Sequence, residues 1–530
     1  MHEFNVAVRD LADFCHRSGD IDHRYGPSPT GAQGVEGHQR LYRRRPDSYQ
    51  AEYAVECVHC AGPVQLTLRG RADGFDPEQG LVEEIKTCRV PAASIPAAVS
   101  RLHLAQGRLY AALIARAERR DALTVRLTWF NIDSGEEHAL EQHYSRAELD
   151  DFLNATLARF ADWLRLLAAR REQRQRSLAD LDVPYGAFRA GQRDMAELVY
   201  KCIDQGGQLM LEAPTGIGKT AAVLYPALKA LATGKHERIL FLTAKTVGRR
   251  AAEDALQAFR KNGMSLPALS LTAAERICFS PGKACNGDDC PFARGYYDRH
   301  IVAMRQALQA PALQREDIEV LAREHQVCPY QLSIDLLPWM DLVIADLHYL
   351  YSLTATFPAM MERDGQRWTA LVDEAHNLPG RARSMYAARL AKRDLMAVKR
   401  TLPRRLKSSL ERLNRYLLKL QKESWREVGF DTREGCPDEL LSLLQAFTAA
   451  VGEQHATDPV LLARLPGLGE FYFRALQFLR VADRWGDEFR LELSSDGTPQ
   501  GLELTLNCLD PGRLLGERQA GLHSVTAFSA

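Results

Sequence analysis

Three groups of residues have the types and spacing that chemistry requires. The first is Ala213-Pro214-Thr215-Gly216-Ile217-Gly218-Lys219-Thr220, where an apolar run meets two glycines, a lysine and a threonine. Glycines let backbone amides approach phosphate oxygens, the lysine brings positive charge to the β and γ phosphates, and the threonine hydroxyl reaches Mg²⁺. Downstream, the apolar stretch Thr369-Ala370-Leu371-Val372 delivers Asp373, Glu374, Ala375 and His376. Asp373 suits the Mg²⁺ shell, Glu374 suits the attacking water, and Asp373 and His376 join the loop as ATP-binding residues. The two motifs in this order predict ATP binding and hydrolysis.

The second group is made of cysteines. Cys278, Cys285 and Cys290 share a loop with Pro281, Gly282, Asn286 and Gly287, and Cys328 follows a helical stretch and precedes Pro329-Tyr330. Three thiolates on one loop and a fourth from a distance suit either a tetrahedral metal such as zinc or a cubane cluster.

The third lies near the N-terminus, in Arg69-Gly70-Arg71-Ala72-Asp73 and Leu81-Val82-Glu83-Glu84-Ile85-Lys86. On a strand, Glu84 and Lys86 point to one face because side chains alternate. Asp73 on a neighbouring strand then shares a divalent cation with Glu84, while Lys86 orients or deprotonates a water. Hard oxygen ligands select Mg²⁺ or Mn²⁺. Glu36 and Glu83 remain open as alternative ligands.

These groups need elements to position them. A chain of 530 residues predicts three or four folding units. Strands are predicted over Val64–Arg69, Leu81–Lys86 and Leu123–Phe130, with helices over Ala97–Arg119 and Arg146–Arg170, as an α/β unit of its own. Arg165–Arg176 reads as a solvated helix end and linker, or else as a connector that contacts DNA. From about 180 the pattern becomes Leu209–Ala213 strand, loop, Ala221–Ala232 helix, Ile239–Thr243 strand, which indicates a parallel sheet with crossover helices. The stretch from Ala244 to Asp373 exceeds any crossover and predicts an insertion. A second insertion, Pro379 to Arg490, is rich in Leu, Arg and Lys at helical spacing.

Lys plus Arg and Asp plus Glu both number 68, so net charge offers no argument for a polyanionic partner, and nucleic-acid binding would need local basic grooves. The start of the chain has no apolar segment behind a basic one, and no apolar run reaches membrane-spanning length. The expectation is a cytoplasmic protein without a membrane partner, whose eleven cysteines are thiols or metal ligands.

The order of Lys219 loop, cysteines ending in Cys328-Pro329-Tyr330, and Asp373-Glu374-Ala375-His376 resembles the XPD/DinG family of iron–sulfur DNA helicases, from about 180 to 530. Ala213 stands where the general loop pattern has glycine. Tyr185 to Gln192 resembles the adenine-reading Q motif, with Gln192 offering its amide, and Leu242-Thr243-Ala244-Lys245-Thr246 looks like motif Ia, which holds DNA backbone. Ala345 to Leu350 fits the strand end before the arch, with Asp346 where many relatives carry Asn. The resemblance implies a 4Fe–4S cluster on Cys278, Cys285, Cys290 and Cys328, a helical arch, and 5′-to-3′ movement on single-stranded DNA. Leu502–Pro511 resembles the return strand after the arch. Ser524–Ala530 resembles the start of motif III, so the second RecA-like lobe is expected to be missing and ATP hydrolysis to be poor without it.

The N-terminal unit resembles the RecB-like branch of the PD-(D/E)XK nucleases. The resemblance places His38 as a metal ligand beside Asp73 and Glu84, and Gln106 and Tyr110, one helical turn apart, as support. Ala72 replaces the proline that names the motif. Cys57-Val58-His59-Cys60 is expected at a hairpin turn as a plain or half-used zinc turn.

The predicted architecture is therefore α/β. It comprises a nuclease-like domain (1–175), a RecA-like P-loop lobe in parts (176–265, 336–380, 499–530), an inserted iron–sulfur domain (266–335) and an inserted helical arch (381–498). The predicted function is an ATP-dependent DNA helicase fused to a metal-dependent nuclease, acting on single-stranded and branched DNA in repair or recombination. The alternatives are a non-catalytic DNA-binding module and a nuclease with an ATP-binding regulatory lobe.

Overall fold

The computed structural model describes residues 1–23, 29, 31–184, 186–399, 402–424, 428–458 and 461–530. Tyr185, the first residue of the Q-motif resemblance, lies outside them. Contacts divide the chain into two units. The first holds Met1–Gln173 with Cys278–Ala307 and Val320–Leu332, and the second holds Arg174–Ile277, Leu308–Glu319 and Ser333–Ala530.

The first unit is built on a mixed sheet of β1 (His2–Ala7), β2 (Gln50–Ala61), β3 (Val64–Asp76), β4 (Leu81–Cys88), β5 (Ala122–Asn131) and β6 (Glu137–Ser145), in the order β1-β3-β4-β5-β6 with β2 also paired to β3. β4 runs parallel to β5 and antiparallel to β3. Leu81 through Ile85 are all buried, as a central strand covered on both faces requires. Ile85 packs with Leu41 of the helix Gly31–Tyr42 and with Phe130. On the other side of the strand the helix Ala97–Ala117 brings Gly107 against Glu84, whose Cβ would lie 3.5 Å from an added one.

Arg165–Arg176 is helical, and the division between the two units falls inside it, at Gln173 and Arg174. It is the continuous last part of the helix Arg146–Ala179. Arg171 lies 4.5 Å over the Phe4 ring, and Arg174 is ion-paired with Asp341. Arginine stems cover apolar surface while the heads find carboxylates, which composition alone does not reveal.

The second unit carries a wholly parallel sheet in the order β10-β9-β11-β8-β12-β17-β7. Its strands are β7 (Gly207–Glu212), β8 (Arg238–Leu242), β9 (Ala268–Ser270), β10 (Ala312–Leu313), β11 (Leu342–Ala345), β12 (Trp368–Asp373) and β17 (Ser524–Ser529). Continuous burial of β8, β11 and β12 matches their unbroken apolar sequences. Ile239, Phe241, Leu371 and Phe528 from three neighbouring strands pack with Val223, Leu224 and Leu228 of the helix Lys219–Ala232 in one core.

The segment read as a helical arch is mixed. Beside the helices Arg404–Ser424, Asp438–Thr457 and Pro466–Ala482 it holds β13 (Ala388–Ala391), β14 (Val428–Arg433) and β15 (Phe489–Asp496), which form an antiparallel sheet with β16 (Glu503–Cys508) beyond it, ordered β13-β16-β15-β14. Leu502–Pro511 therefore does not return to the parallel sheet. Its alternation of buried and half-buried residues is that of a strand with two different faces, and β17 makes the return instead.

Candidate functional sites

At the N-terminal site the β3–β4 ladder runs Asp76↔Leu81, Phe75↔Val82, Gly74↔Glu83 and stops there. Asp73 Oδ2 spans the gap that follows by accepting the Ile85 amide at 2.6 Å. The Glu84 side chain is 1% exposed; one oxygen pairs with Lys86, and the other, Oε2, is buried with no partner. Burial pushes the Glu84 carboxyl up to about 8, against the pull of Lys86 and with the push of Asp73. Burial also raises Asp73, opposed by Lys86, the Ile85 amide and His38. His38 Nδ1 lies 3.7 Å from Asp73 Oδ1.

His38, Glu52 and Asp73 bring one ligand atom each within 4.8 Å of one another, and among the described residues they are the one such group of three or more. Glu52 carries no motif signal; it sits on β2 amid ordinary strand sequence. Gln106 and Tyr110 are both buried on the helix Ala97–Ala117, and Tyr110 is raised first by burial and then by Glu84 and Asp73. Gly70 makes room for that tyrosine, since a Cβ there would lie 2.8 Å from its ring. The glycine before Asp73 is thus a legible packing signal.

The alternative ligands separate cleanly. Glu83 faces away from Glu84 and is 0% exposed, held by Arg45 at 2.7 and 2.9 Å, by the Tyr49 hydroxyl at 2.9 Å and by Thr128. Its charge is fully engaged in structure. Glu36 is exposed on the helix Gly31–Tyr42, outside the cluster. Cys57 and Cys60 lie within β2 rather than at the turn, opposite Leu68 and Gln65. Three residues apart on a strand, they face opposite ways and do not form a two-thiolate chelate.

All eleven cysteines are free. Cys278, Cys285, Cys290 and Cys328 belong to the first unit. Burial raises Cys285, helped by the charges of Cys278 and Cys290; burial raises Cys328 to about 11, helped by Cys278 and Cys285. Cys285 thus lies near Cys278 and Cys290, and Cys328 near Cys278 and Cys285. They do not crowd to the spacing of a single ion, where Zn–S bonds of about 2.3 Å would bring sulfurs within about 3.8 Å. Asn286 fixes the loop by accepting the amides of Asp288 and Asp289, each at 2.9 Å, and the Ser280 amide points at Cys278 Sγ at 3.4 Å.

Residues 19–23 run along this loop. Ile21 donates to the Ala293 carbonyl at 3.0 Å and His23 to the Cys285 carbonyl at 2.8 Å, while Asp20 Oδ1 accepts the Gly295 amide at 2.6 Å. Gly19 donates to Asp298 at 2.9 Å, and its carbonyl accepts the Tyr297 amide at 2.9 Å. The cysteine loop is thus sewn to the stretch that leads into the helix bearing His38.

In the second unit, β7 runs into the loop and Gly216 and Gly218 adopt φ of 80° and 85°, backbone that side chains resist. Lys219 Nζ donates to the carbonyls of Ala213 and Pro214 at 3.0 and 3.2 Å. Thr220 follows in the first turn of the helix Lys219–Ala232, whose amides favour phosphate. Thr215 and Ile217 complete the turn. Gln192 Nε2 donates to the Ile217 carbonyl at 2.6 Å and its Oε1 accepts the Arg189 amide at 2.8 Å, so its amide braces the loop.

Asp373, 7% exposed, ends β12 and accepts from Thr243 at 3.3 Å. Burial and then the adjacent Glu374 charge raise its carboxyl. Glu374 has φ 51°, which turns the chain sharply at the strand end. His376 is hydrogen-bonded to Ser529 and lies 3.5 Å from Glu374. Sequence reading missed Gly248: a Cβ there would overlap Thr243 Oγ1 and Asp373 Oδ2. Asp346 is held by His348, accepting its amide at 3.0 Å and its ring at 2.8 Å.

Residues 191–273 match the sequence profile described as DEAD/DEAH box helicase, and residues 265–395 match the one described as DEAD_2. Together the two matches span residues 191–395, less than half of the chain. A probable ATP-dependent helicase of Methanocaldococcus jannaschii is 36% identical over 105 residues, which are 19% of this chain and 15% of that protein. Among solved structures, an XPD helicase aligns with 65% of this chain and 58% of its own at 13% identity and a TM-score of 0.40. A truncated XPD aligns with 63% of this chain and 92% of its own at 15% identity and a TM-score of 0.39. Likeness at that level does not establish a common fold. No helix among the described residues is long and apolar enough to cross a membrane.

Proposed function

We propose that the chain joins an ATP-driven DNA helicase lobe to a divalent-metal-dependent DNA nuclease. The observation that carries the nuclease half is Asp73, Glu84 and Lys86 meeting where β3 and β4 part, with His38 alongside. The donor set fits Mg²⁺ or Mn²⁺: carboxylates, one imidazole, and an unpartnered buried oxygen on Glu84. When bound, such an ion supplies a nucleophilic water and screens the phosphodiester. Lys86 would hold or deprotonate the attacking water, whose oxygen would bond to phosphorus as the bond to the leaving sugar oxygen breaks and that oxygen takes up a proton. Tyr110 and Gln106 keep the helix against the site.

In the lobe, loop amides and Lys219 would hold ATP phosphates, Thr220 and Asp373 would hold Mg²⁺, and Glu374 would polarise water. Cys278, Cys285, Cys290 and Cys328 are read as the ligands of a 4Fe–4S cluster, whose several irons would hold thiolates farther apart than one ion does. The expected substrates are single-stranded and branched DNA, with movement 5′ to 3′ and a role in repair or recombination.

The test is Mg²⁺-dependent cleavage of labelled single-stranded and flapped DNA. Lys86→Ala should cut more slowly by on the order of 10²–10⁴-fold; equal rates would remove this assignment. Anaerobically purified protein should be brown with broad visible absorption, and Cys285→Ser colourless; a colourless wild type holding zinc would replace the cluster with a single ion.

A further inference from the structure

Glu52 belongs to no motif, yet its position is specified by the fold. The pairs Ala51↔Gly74 and Tyr53↔Ala72 flank it on the β2–β3 ladder, so Glu52 lies opposite Asp73. Its φ of 54° is left-handed, an uncommon state for a non-glycine residue within a strand. The Tyr42 hydroxyl, one turn along the helix from His38, donates to Glu52 Oε1 at 3.1 Å and fixes the carboxylate. The outcome is the three-residue group with His38 and Asp73.

Charge gives an independent reason for a cation. Glu52, Asp73 and Glu84 carry three carboxylates, while Lys86 and the more remote Arg9 are the positive groups acting on Glu84. Glu84 Oε2, buried beside Asp73, has no hydrogen-bond donor, and an orphaned carboxylate oxygen in a desolvated position costs free energy unless a cation meets it. Three hard oxygen donors and one imidazole describe a Mn²⁺ or Mg²⁺ site, with nitrogen favouring Mn²⁺ in affinity.

We propose that Glu52 is a direct ligand of the divalent cation, completing with His38 and Asp73 a three-point cradle. The proposal rests on reading this centre as a metal-dependent nuclease, but it is measurable without DNA. The full chain, stripped of divalent ions and free of nucleotide, is titrated with Mn²⁺ and the free ion is followed by electron paramagnetic resonance.

Wild type should take up one tight equivalent. Glu52→Gln should weaken it at least tenfold, and Glu56→Gln, four residues along the same strand in an exposed pair with Arg69, should leave it unchanged. Glu52→Gly guards against misfolding: glycine accepts the left-handed backbone, so its melting temperature should equal or exceed wild type while its Mn²⁺ uptake falls. Wild-type uptake by Glu52→Gln and Glu52→Gly alongside loss in Asp73→Asn would overturn the role of Glu52 and leave the nuclease reading standing. Weakened uptake with no cleavage of DNA by wild type would keep the ligand and sink the nuclease. No tight Mn²⁺ in wild type would sink both.

Discussion

The two centres proposed to handle phosphate are assembled in opposite ways. The P-loop is a contiguous stretch whose working groups are mostly backbone amides, and its lysine rests on carbonyls of the same loop. The N-terminal centre draws single side chains from the helix Gly31–Tyr42, β2, β3, β4 and the helix Ala97–Ala117, and it gathers carboxyl groups in a desolvated place that resists their ionisation. A centre made of backbone tolerates variation around it and announces itself in sequence. A centre made of converging side chains depends on the packing of every contributor.

The strongest way to break this comparison is Lys219→Ala. Loss of its charge should lower ATP hydrolysis by on the order of 10²–10³-fold, read by phosphate release, while Mg²⁺-dependent cleavage of single-stranded DNA persists. If cleavage fell equally, the centres would not be separable. A smaller effect is expected from Gly248→Ala, whose Cβ would push on Thr243 and Asp373; hydrolysis should fall about tenfold with ATP binding nearly unchanged, since Asp373 acts through Mg²⁺.

The smallest effect separates the cysteine-bearing part of the first unit by pH. Burial lowers His300 to about 4, and its ring Nδ1 meets the Tyr297 carbonyl at 3.0 Å. The unfolded chain protonates this histidine near pH 6.5 while the folded one resists, so the stability contributed by the neutral ring is present above about 6.5 and is lost as pH falls toward 4. His300→Gln should flatten the acid-side fall in stability of wild type by up to about 1.4 kcal/mol per pH unit, measured by denaturant melts from pH 7 to 5. An unchanged slope would mean that the ring titrates freely.

Much of the second unit was legible because its signals are local. The apolar runs of β8 and β12, the glycines of the loop and the acidic strand end each declare themselves within a few residues. Leu502–Pro511 misled for the same reason: its alternation identifies a strand but not the sheet it joins, and β16 pairs with β13 and β15. In the first unit, the period of two placed Glu84 and Lys86 together, and the helical turn joined Gln106 to Tyr110. Sequence read Glu84 as the ligand but left Glu83 open, because what occupies Glu83 depends on Arg45 and Tyr49 reaching the far face of β4.

By itself the sequence determined which short segments become strands, helices and phosphate-binding turns, because backbone conformation and side-chain alternation are set by near neighbours. Only the tertiary structure decided that Glu52 stands opposite Asp73, that Gly248 lies against Asp373, and that residues 19–23 are laced to the cysteine loop. Those relations join residues far apart along the chain, and they are fixed by which faces pack and where desolvated charges find partners.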